Sequence, residues 1–253
     1  MRFNWRIQRL GFLCCVGLAA LQAAPRPLAR LALKSASALV LDQATGQTLI
    51  EKQAGAVQPI ASLTKLMTAM VLLDARLDPR EILTITKDDK DMLRHSKSRL
   101  PVGTRLPREQ ALLLALLASE NRAAHALGRT FPGGLEVFVQ GMNAKAKELG
   151  LEETKFEDPS GLSAGNVASA HDLARIMEAA YRYPEIRDFT TRPETSIQAG
   201  RRSIQFPNTN ALVRSSRWNI GLSKTGYIEE AGRCLVMQAM LANRPVLIIL
   251  LDS

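Results

Sequence analysis

Ser62 and Lys65 are the first pair of residues whose types and spacing could carry chemistry. On a helix, positions i and i+3 lie on the same side of the axis, so a hydroxyl and an amine at this spacing come within hydrogen-bonding reach. Such a pair can supply a nucleophile and its base. The pattern Ser-x-x-Lys alone is weak, because a chain of this size contains it about once by chance. The alternative is that Ser62 caps a helix and Lys65 is a solvated residue of its first turn.

Ser119 and Asn121 form a second candidate, because they interrupt the most apolar helical stretch of the chain, residues 111–118. Burying these polar side chains without partners would destabilise the fold. The turn therefore lies exposed at a junction between two helices, or it points into a polar site. Serine and asparagine both favour helix caps, so this pattern on its own favours the junction.

Lys224, Thr225 and Gly226 form a third candidate, inside a pattern typical of a strand. A glycine in the interior of a strand usually marks the close approach of a ligand or of another backbone segment. Three residues of set type are also rarer by chance than the first pattern. The alternative is an edge strand that a lysine protects from pairing with other chains.

Taken together, the three patterns favour one activity over three separate explanations. Each occurs once, in the order Ser-x-x-Lys, Ser-x-Asn, Lys-Thr-Gly, which is the active-site set of penicillin-binding proteins and class A β-lactamases. The sequence resembles a low-molecular-mass penicillin-binding protein of the serine D-alanyl-D-alanine peptidase family, and it is most similar to the periplasmic D-alanyl-D-alanine endopeptidase subgroup. The resemblance covers roughly residues 35–252 and includes Pro-Ser-Gly-Leu at residues 159–162.

Acyl transfer is the reaction that this resemblance implies. Ser62 would attack the carbonyl carbon of a D-alanyl peptide bond and form an acyl-enzyme. Lys65 is the candidate base, since none of the three histidines lies in one of the motifs. A lysine with its ordinary pKa is protonated at neutral pH, so this role requires a lowered pKa. Burial and a positive charge on Lys224 would both lower the pKa of Lys65.

The other motif residues have roles that the resemblance also implies. Ser119 would relay a proton to the leaving amine, and Asn121 would hold Lys65 or the substrate amide. The backbone N–H groups of Ser62 and Tyr227 would form the oxyanion hole. The resemblance implies no metal ion and no other cofactor.

Lys224 and Thr225 would bind the substrate carboxylate, and Gly226 would let the substrate backbone lie against the strand. A stem pentapeptide ends in D-Ala with a free carboxylate, and the D-centre of diaminopimelate in a cross-link also carries one beside the scissile bond. The motif therefore does not separate a carboxypeptidase from an endopeptidase, but the subgroup similarity favours cleavage of cross-links. The expected partners are peptidoglycan peptides, with β-lactam antibiotics as covalent inhibitors.

Two further functions stay open. A β-lactamase would need a carboxylate that positions the deacylating water, and the chain has no Glu-x-x-Leu-Asn segment between the second and third motifs. A non-catalytic wall-binding protein could use the same scaffold. Family members usually carry a C-terminal helix, whereas this chain ends at Ser253 soon after its last predicted strand. All motif residues are intact, which favours the enzyme.

The patterning predicts an α/β protein of the α+β type, with an antiparallel sheet of about five strands from both chain ends and a helical lobe inserted between them. Strands are expected at residues 37–42, 47–51, 220–227, 232–240 and 245–251, and a further short one at 81–86. Helices are expected at residues 62–76, 107–118, 121–129, 135–149 and 173–180. The catalytic domain would span residues 25–253, with a sheet lobe at about 35–75 and 175–253, a helical lobe at about 76–174, and no C-terminal helix.

The first 24 residues predict export. Arg2, Arg6 and Arg9 precede an apolar run at residues 10–24, which fits a cleavable signal peptide. The chain has 33 Lys and Arg against 24 Asp and Glu, a formal net charge of +9. A basic exported protein suits anionic wall polymers, and it makes nucleic acid an improbable partner. We therefore predict a periplasmic protein with no stable membrane anchor after cleavage of the signal peptide.

Overall fold

A five-stranded antiparallel sheet at the centre of the molecule is built from both ends of the chain. The computed structural model describes residues 32–200 and 202–253, so the predicted signal peptide lies outside the described residues. The strands are β1 (Ser37–Asp42), β2 (Thr48–Lys52), β3 (Gln58–Pro59), β4 (Ile82–Thr84), β5 (Arg105–Pro107), β6 (Val167–Ala168), β7 (Glu194–Ala199), β8 (Arg202–Pro207), β9 (Asn219–Ile228), β10 (Gly232–Leu241) and β11 (Arg244–Leu251). The helices are α1 (Lys65–Asp74), α2 (Arg108–Leu117), α3 (Asn121–Arg129), α4 (Gly134–Glu148), α5 (Ala170–Ala180) and α6 (Pro184–Thr191).

The strand order of the central sheet is β2-β1-β11-β10-β9, and all neighbours are antiparallel. This confirms the predicted α+β class and the predicted joining of the two chain ends. The first hairpin forms where the carboxylate of Asp42 accepts the backbone N–H groups of Ala44 and Thr45, at 3.0 and 3.1 Å. Strand β9, which carries the Lys-Thr-Gly motif, lies at an edge of the sheet.

Helix α5 lies beside the sheet, and helix α1 lies beside α5. Helix α5 contacts β1, β10 and β11, and α1 packs between α5 and helices α2, α3 and α4. Eight of the ten residues of α1 are buried, and Leu66, Met67 and Met70 have no exposed surface. A helix that is apolar on all sides belongs in the interior of a protein. The Ser-x-x-Lys motif at its start is therefore anchored to the buried core.

Several elements differ from the sequence prediction. The predicted helix at 62–76 begins as a 3₁₀ turn, Ala61–Thr64, because Ala61 has a positive φ of 47° and the chain turns tightly there. Helix α6, the β7–β8 hairpin and the β4–β5 pair were not predicted in these forms. They are short or mostly polar, so they show little periodicity. Within the described residues, no helix follows β11, and none has the length and hydropathy needed to cross a membrane.

A buried carboxylate fixes the irregular segment between β4 and β5 to helix α3. Asp89 is 2% exposed and accepts hydrogen bonds from His125 Nδ1 and from Nε and an Nη of Arg129, all at 2.9 Å. It also accepts the backbone N–H of Thr86 at 2.7 Å. Burial by itself would raise the pKa of Asp89, but the bonds from His125 and Arg129 outweigh it and lower the pKa to about 2.

A second contact brings two distant backbone segments together beside the nucleophile motif. Gly161 has a φ of +82°, and a Cβ atom on it would lie 1.9 Å from the carbonyl oxygen of Ala61 and 2.9 Å from the backbone nitrogen of Ser62. Only glycine allows both the left-handed conformation and this close approach. The turn at residues 158–163 is therefore packed directly against the backbone that carries Ser62.

We expect Gly161→Ala to destabilise the protein more than a glycine substitution that causes only the backbone strain of a positive φ, because the new Cβ atom would also clash with Ala61. Gly46→Ala is the matched control, since Gly46 has a φ of +71° and a Cβ atom on it would meet no heavy atom within 4 Å. The control should lower the free energy of unfolding by about 1–2 kcal/mol, and Gly161→Ala by about 2 kcal/mol more. Urea unfolding of both variants measures the difference, and equal values would contradict the close contact.

Asp89→Asn should lower the free energy of unfolding at pH 7 by about 2–3 kcal/mol, because Arg129 loses its buried counter-charge. The folded pKa of Asp89 is depressed, so its contribution is full above about pH 4 and is lost as the pH falls toward 2. The difference from wild type should therefore shrink between pH 7 and pH 3 in urea unfolding. Asp88→Asn, at an exposed neighbour, is the control. A stability difference between wild type and Asp89→Asn that stays constant with pH would contradict the lowered pKa of Asp89.

Candidate active site

The start of helix α1 places Ser62 and Lys65 on the same side of the chain. Ser62 lies in the 3₁₀ turn, and Lys65 is the first residue of α1. In 3₁₀ geometry, side chains three residues apart eclipse one another, which brings the two closer than a regular helix would. Lys65 Nζ lies 2.8 Å from Ser62 Oγ. Ser62 makes no capping hydrogen bond and Lys65 is fully buried, so the alternative of a cap and a solvated lysine is wrong.

The amine of Lys65 has three partners. Besides Ser62 Oγ, Nζ contacts Asn121 Oδ1 at 2.8 Å and the backbone carbonyl of Ser160 at 2.5 Å. The two carbonyl-type oxygens can only accept hydrogen bonds. A neutral amine has two N–H bonds and one lone pair. With both N–H groups donated to these oxygens, the lone pair points toward the hydroxyl of Ser62.

Burial is the main cause of the unusual proton affinity of Lys65. It lowers the pKa of Lys65 from 10.5 to about 7, while the negative charges of Asp158 and Glu120 act in the opposite direction. A substantial fraction of the amine is therefore neutral at physiological pH. The sequence indicates burial but neither carboxylate. The expected lowering of the Lys65 pKa by Lys224 is wrong, since it is the pKa of Lys224 that the positive charge of Lys65 lowers.

The Ser-x-Asn motif occupies the junction between helices α2 and α3. Ser119 adopts a φ of +57°, which is rare for a residue other than glycine and is typical of backbone held in place by its surroundings. Glu120 caps α3 by accepting the N–H of Arg122, and Asn121 is the first residue of that helix. The Nδ2 of Asn121 donates to Ser96 Oγ at 3.1 Å, which fixes the amide so that its oxygen faces Lys65. The junction between α2 and α3 is thus also part of the polar site around Lys65.

Lys224 is the second buried amine of the site. It is 1% exposed, and Nζ donates to Ser119 Oγ and to the carbonyl of Thr225, both at 2.9 Å. Burial and the positive charge of Lys65 lower the pKa of Lys224 well below its ordinary value. Although β9 is an edge strand, its lysine points inward, so the alternative in which it protects that edge is wrong.

Gly226 allows strand β9 to lie against the segment that holds Ser62. A Cβ atom on it would be 3.1 Å from each of three atoms: Ala61 Cβ, the Ile60 carbonyl oxygen and the Ser62 backbone nitrogen. The close approach that the sequence indicated here is thus made by another part of the same chain. It brings the backbone N–H of Ser62 next to the strand that continues to Tyr227.

These residues share one open cleft of about 540 Å³. Thr225 Oγ1 lies 2.6 Å from Thr209 Oγ1 at its exposed side, and the Tyr227 side chain is largely exposed. The residues that line the cleft from the three motifs are Ser62, Ser119, Asn121, Thr225, Gly226 and Tyr227. The structure therefore brings the three predicted motifs together, with the two lysines buried beneath them.

Sequence reasoning missed the Ser160 carbonyl and the carboxylates near Lys65. Pro-Ser-Gly-Leu at residues 159–162 carried a signal of resemblance, but a backbone oxygen leaves no mark in residue type. Glu120 and Asp158 each looked like an ordinary polar residue of a turn. Only the folded chain reveals that both stand close enough to Lys65 to affect its charge.

Comparisons with known proteins agree with this geometry. The chain is 44% identical over 240 residues to the D-alanyl-D-alanine endopeptidase of Pseudomonas aeruginosa, which covers 92% of this chain and 77% of the relative. It is 41% identical to the D-alanyl-D-alanine endopeptidase of Escherichia coli, over 87% of this chain and 71% of the relative.

The fold is similar to a solved structure. The crystal structure of the Streptomyces K15 DD-transpeptidase matches with a TM-score of 0.82 and 27% identity, over 89% of this chain and 92% of that one. The model of the Peptidase S11 family, described as D-alanyl-D-alanine carboxypeptidase, matches residues 22–253. Because this model matches nearly the whole chain and relatives match at 41–44% identity, the chain belongs to the Peptidase S11 family of serine peptidases.

Proposed function

We propose that the protein hydrolyses D-alanyl peptide bonds of peptidoglycan through an acyl-enzyme on Ser62, and that cross-links between D-Ala and diaminopimelate are its main substrate. The observation that supports this most directly is the set of contacts made by Lys65. Its buried amine lies 2.8 Å from Ser62 Oγ, and its two other partners are acceptors. This is the arrangement that a serine nucleophile needs for activation by a lysine.

In the acylation step, Ser62 Oγ attacks the scissile carbonyl carbon and its proton passes to Lys65 Nζ. The backbone N–H groups of Ser62 and Tyr227 stabilise the oxyanion that forms. The C–N bond then breaks, and the leaving nitrogen receives the hydroxyl proton of Ser119. The proton that Lys65 took from Ser62 replaces it on Ser119, so Lys65 is neutral again for the next step. That hydroxyl accepts a hydrogen bond from Lys224, which leaves its own proton free to be donated. The products are an ester on Ser62 and a free amine.

Hydrolysis of the ester completes the cycle. Water attacks the ester carbonyl and gives up a proton to the same base, and the Ser62 oxygen leaves and regains its proton. The sequence has no segment of the kind that positions the deacylating water in class A β-lactamases. We therefore expect β-lactams to remain on Ser62 as slowly released adducts.

Lys224 and Thr225 bind the carboxylate beside the scissile bond. In the free protein, burial lowers the pKa of Lys224. An arriving carboxylate favours the protonated amine, so substrate binding and protonation of Lys224 strengthen each other. Because both cross-links and pentapeptide ends carry such a carboxylate, release of a terminal D-Ala is the second candidate activity. The names of the two relatives reported above favour cross-links, and the family description favours terminal D-Ala.

Export completes the proposal. We propose that residues 1–24 are a cleaved signal peptide and that residues 25–253 act in the periplasm as a single catalytic domain with a sheet lobe and a helical lobe. Without the three arginines of the signal peptide, the chain keeps 30 Lys and Arg against 24 Asp and Glu. This net charge of +6 suits a compartment that contains anionic wall polymers.

Digestion of purified muropeptides tests the substrate. Wild type should cleave cross-linked dimers faster than it releases D-Ala from pentapeptide monomers, because subgroup similarity favours the cross-link. Ser62→Ala should lose both activities, and chromatography of the products measures each. Faster release of terminal D-Ala would favour the carboxypeptidase. Absence of cleavage by wild type, with binding retained in Ser62→Ala, would favour a wall-binding protein.

Penicillin labelling tests the roles of the two lysines. Lys65→Ala should slow acylation by about 10²–10⁴-fold, because the nucleophile loses its base. Lys224→Ala should mainly raise the penicillin concentration needed for half-maximal labelling. Lys147→Ala, on the exposed side of α4, is the control and should label as wild type does.

The pH dependence of wild-type labelling follows from the same assignment. The base must be neutral, so the acylation rate should fall about tenfold per unit below pH 7 and level off above it, as Lys65 with a pKa of about 7 loses its proton. Normal labelling of Lys65→Ala would refute the assignment of the base.

A further inference from the structure

We propose that Asp158 is a positioning residue of the acylation reaction: it caps the turn that holds the Ser160 carbonyl against the Lys65 amine, and it keeps a negative charge beside that amine. This inference rests on the proposed function, since it takes Lys65 as the base. Asp158 lies outside the three motifs and does not touch Ser62 or Lys65. It acts through the turn at residues 158–163.

The carboxylate of Asp158 organises the whole turn. Its Oδ1 accepts the backbone N–H groups of Ser160 at 2.6 Å and Gly161 at 2.8 Å, as well as the Ser160 hydroxyl at 2.5 Å. Its Oδ2 accepts the backbone N–H of Ser163 at 2.8 Å and Asn166 Nδ2 at 2.9 Å. Five hydrogen bonds to one carboxylate leave the turn with little freedom. If an apolar side chain replaced Asp158, all five donors would lose their acceptor.

The turn held in this way sets the positions of both reacting groups. The carbonyl of Ser160 lies 2.5 Å from Lys65 Nζ and 3.5 Å from Ser62 Oγ. Gly161, the next residue, packs against the backbone of Ala61 and Ser62. A shift of the turn would therefore move the acceptor of the base and the backbone of the nucleophile at the same time.

Asn166 connects Asp158 to the strand that leads into the nucleophile motif. It has no exposed surface, and Nδ2 donates to the carboxylate of Asp158 and, at 3.2 Å, to its carbonyl. Its own backbone carbonyl accepts the N–H of Ile60 at 3.0 Å. The position of Asp158 is thus also fixed relative to residues 60–62 through Asn166.

The negative charge of Asp158 affects the proton affinity of Lys65, in addition to the hydrogen bonds that Asp158 makes in the turn. Three titratable groups lie near Lys65: Lys224 from β9, Glu120 from the start of α3, and Asp158 from the turn. Burial lowers the pKa of Lys65, and Asp158 is the larger of the two carboxylate influences that raise it. Without this charge, Lys65 would lose its proton at lower pH and would be a weaker base toward Ser62.

The test compares Asp158→Asn with Glu157→Gln, the same loss of charge at the exposed neighbouring residue. Glu157 bonds Lys155 and the Ser163 hydroxyl but not Ser160. The acylation rate constant of each purified protein with a fluorescent penicillin is measured between pH 5 and 9, and thermal unfolding checks folding. Asp158→Asn should acylate about tenfold more slowly at the optimum. The acid limb of its rate–pH profile, where the acylation rate falls as the pH falls, should move to lower pH by about half a unit or more. Glu157→Gln should match wild type.

Three results would overturn the inference. The first is a folded Asp158→Asn protein that matches Glu157→Gln in rate and acid limb. The second is an acid limb that moves to higher pH. The third is a slower variant with an unmoved limb, because damage to the turn alone would produce it.

Asp158→Glu covers the case in which Asp158→Asn does not fold. It keeps the charge but displaces the oxygens, so its rate should fall while its acid limb stays in place, and a wild-type rate would overturn the inference. Wild-type protein that forms no penicillin adduct at any pH would overturn the proposed function, and this inference with it. The other outcomes overturn the inference alone.

Discussion

The exclusion of water from the amine of Lys65 is the constraint on which the site depends. A lysine in solvent would be protonated and could not accept a proton from a serine hydroxyl. Burial at the start of the interior helix α1 removes the solvation of the ammonium group and lowers the pKa of Lys65 to about 7. The polar groups around it are few and fixed, so the remaining interactions determine where its lone pair points.

Backbone geometry accounts for much of this arrangement. Ala61 and Ser119 both have positive φ angles, and both adjoin or belong to the residues that meet in the cleft. Gly161 and Gly226 let a turn and a strand approach the nucleophile segment from two sides. Strained and crowded backbone of this kind persists only where the surrounding structure supports it. Here the support is the buried core of α1 and the hydrogen-bonded turn after α4.

Much of the fold and of the site followed from residue types. The strands that carry Leu39, Val236 and Ile249 are apolar runs separated by turn residues, which the patterning could locate. The three motifs lie in or beside elements that it also predicted. The β7–β8 hairpin was not predicted, because few of its side chains are buried, Ile197 and Phe206 among them, and it shows no clear alternation. The role of the Ser160 carbonyl oxygen as an acceptor could not be predicted for a different reason. It is a main-chain atom, and contacts between residues far apart in sequence determine its position.

The contact between Lys65 and the main chain of Ser160 limits the mutations by which the enzyme can change this part of its site. Lys65 meets Ser160 through its carbonyl oxygen, an atom that every amino acid supplies. No substitution at position 160 can delete it, so a lineage under antibiotic selection could weaken the contact only by moving the turn, with damage to its own catalysis. An inhibitor built to engage this oxygen would therefore meet a target that resistance mutations at that codon cannot remove.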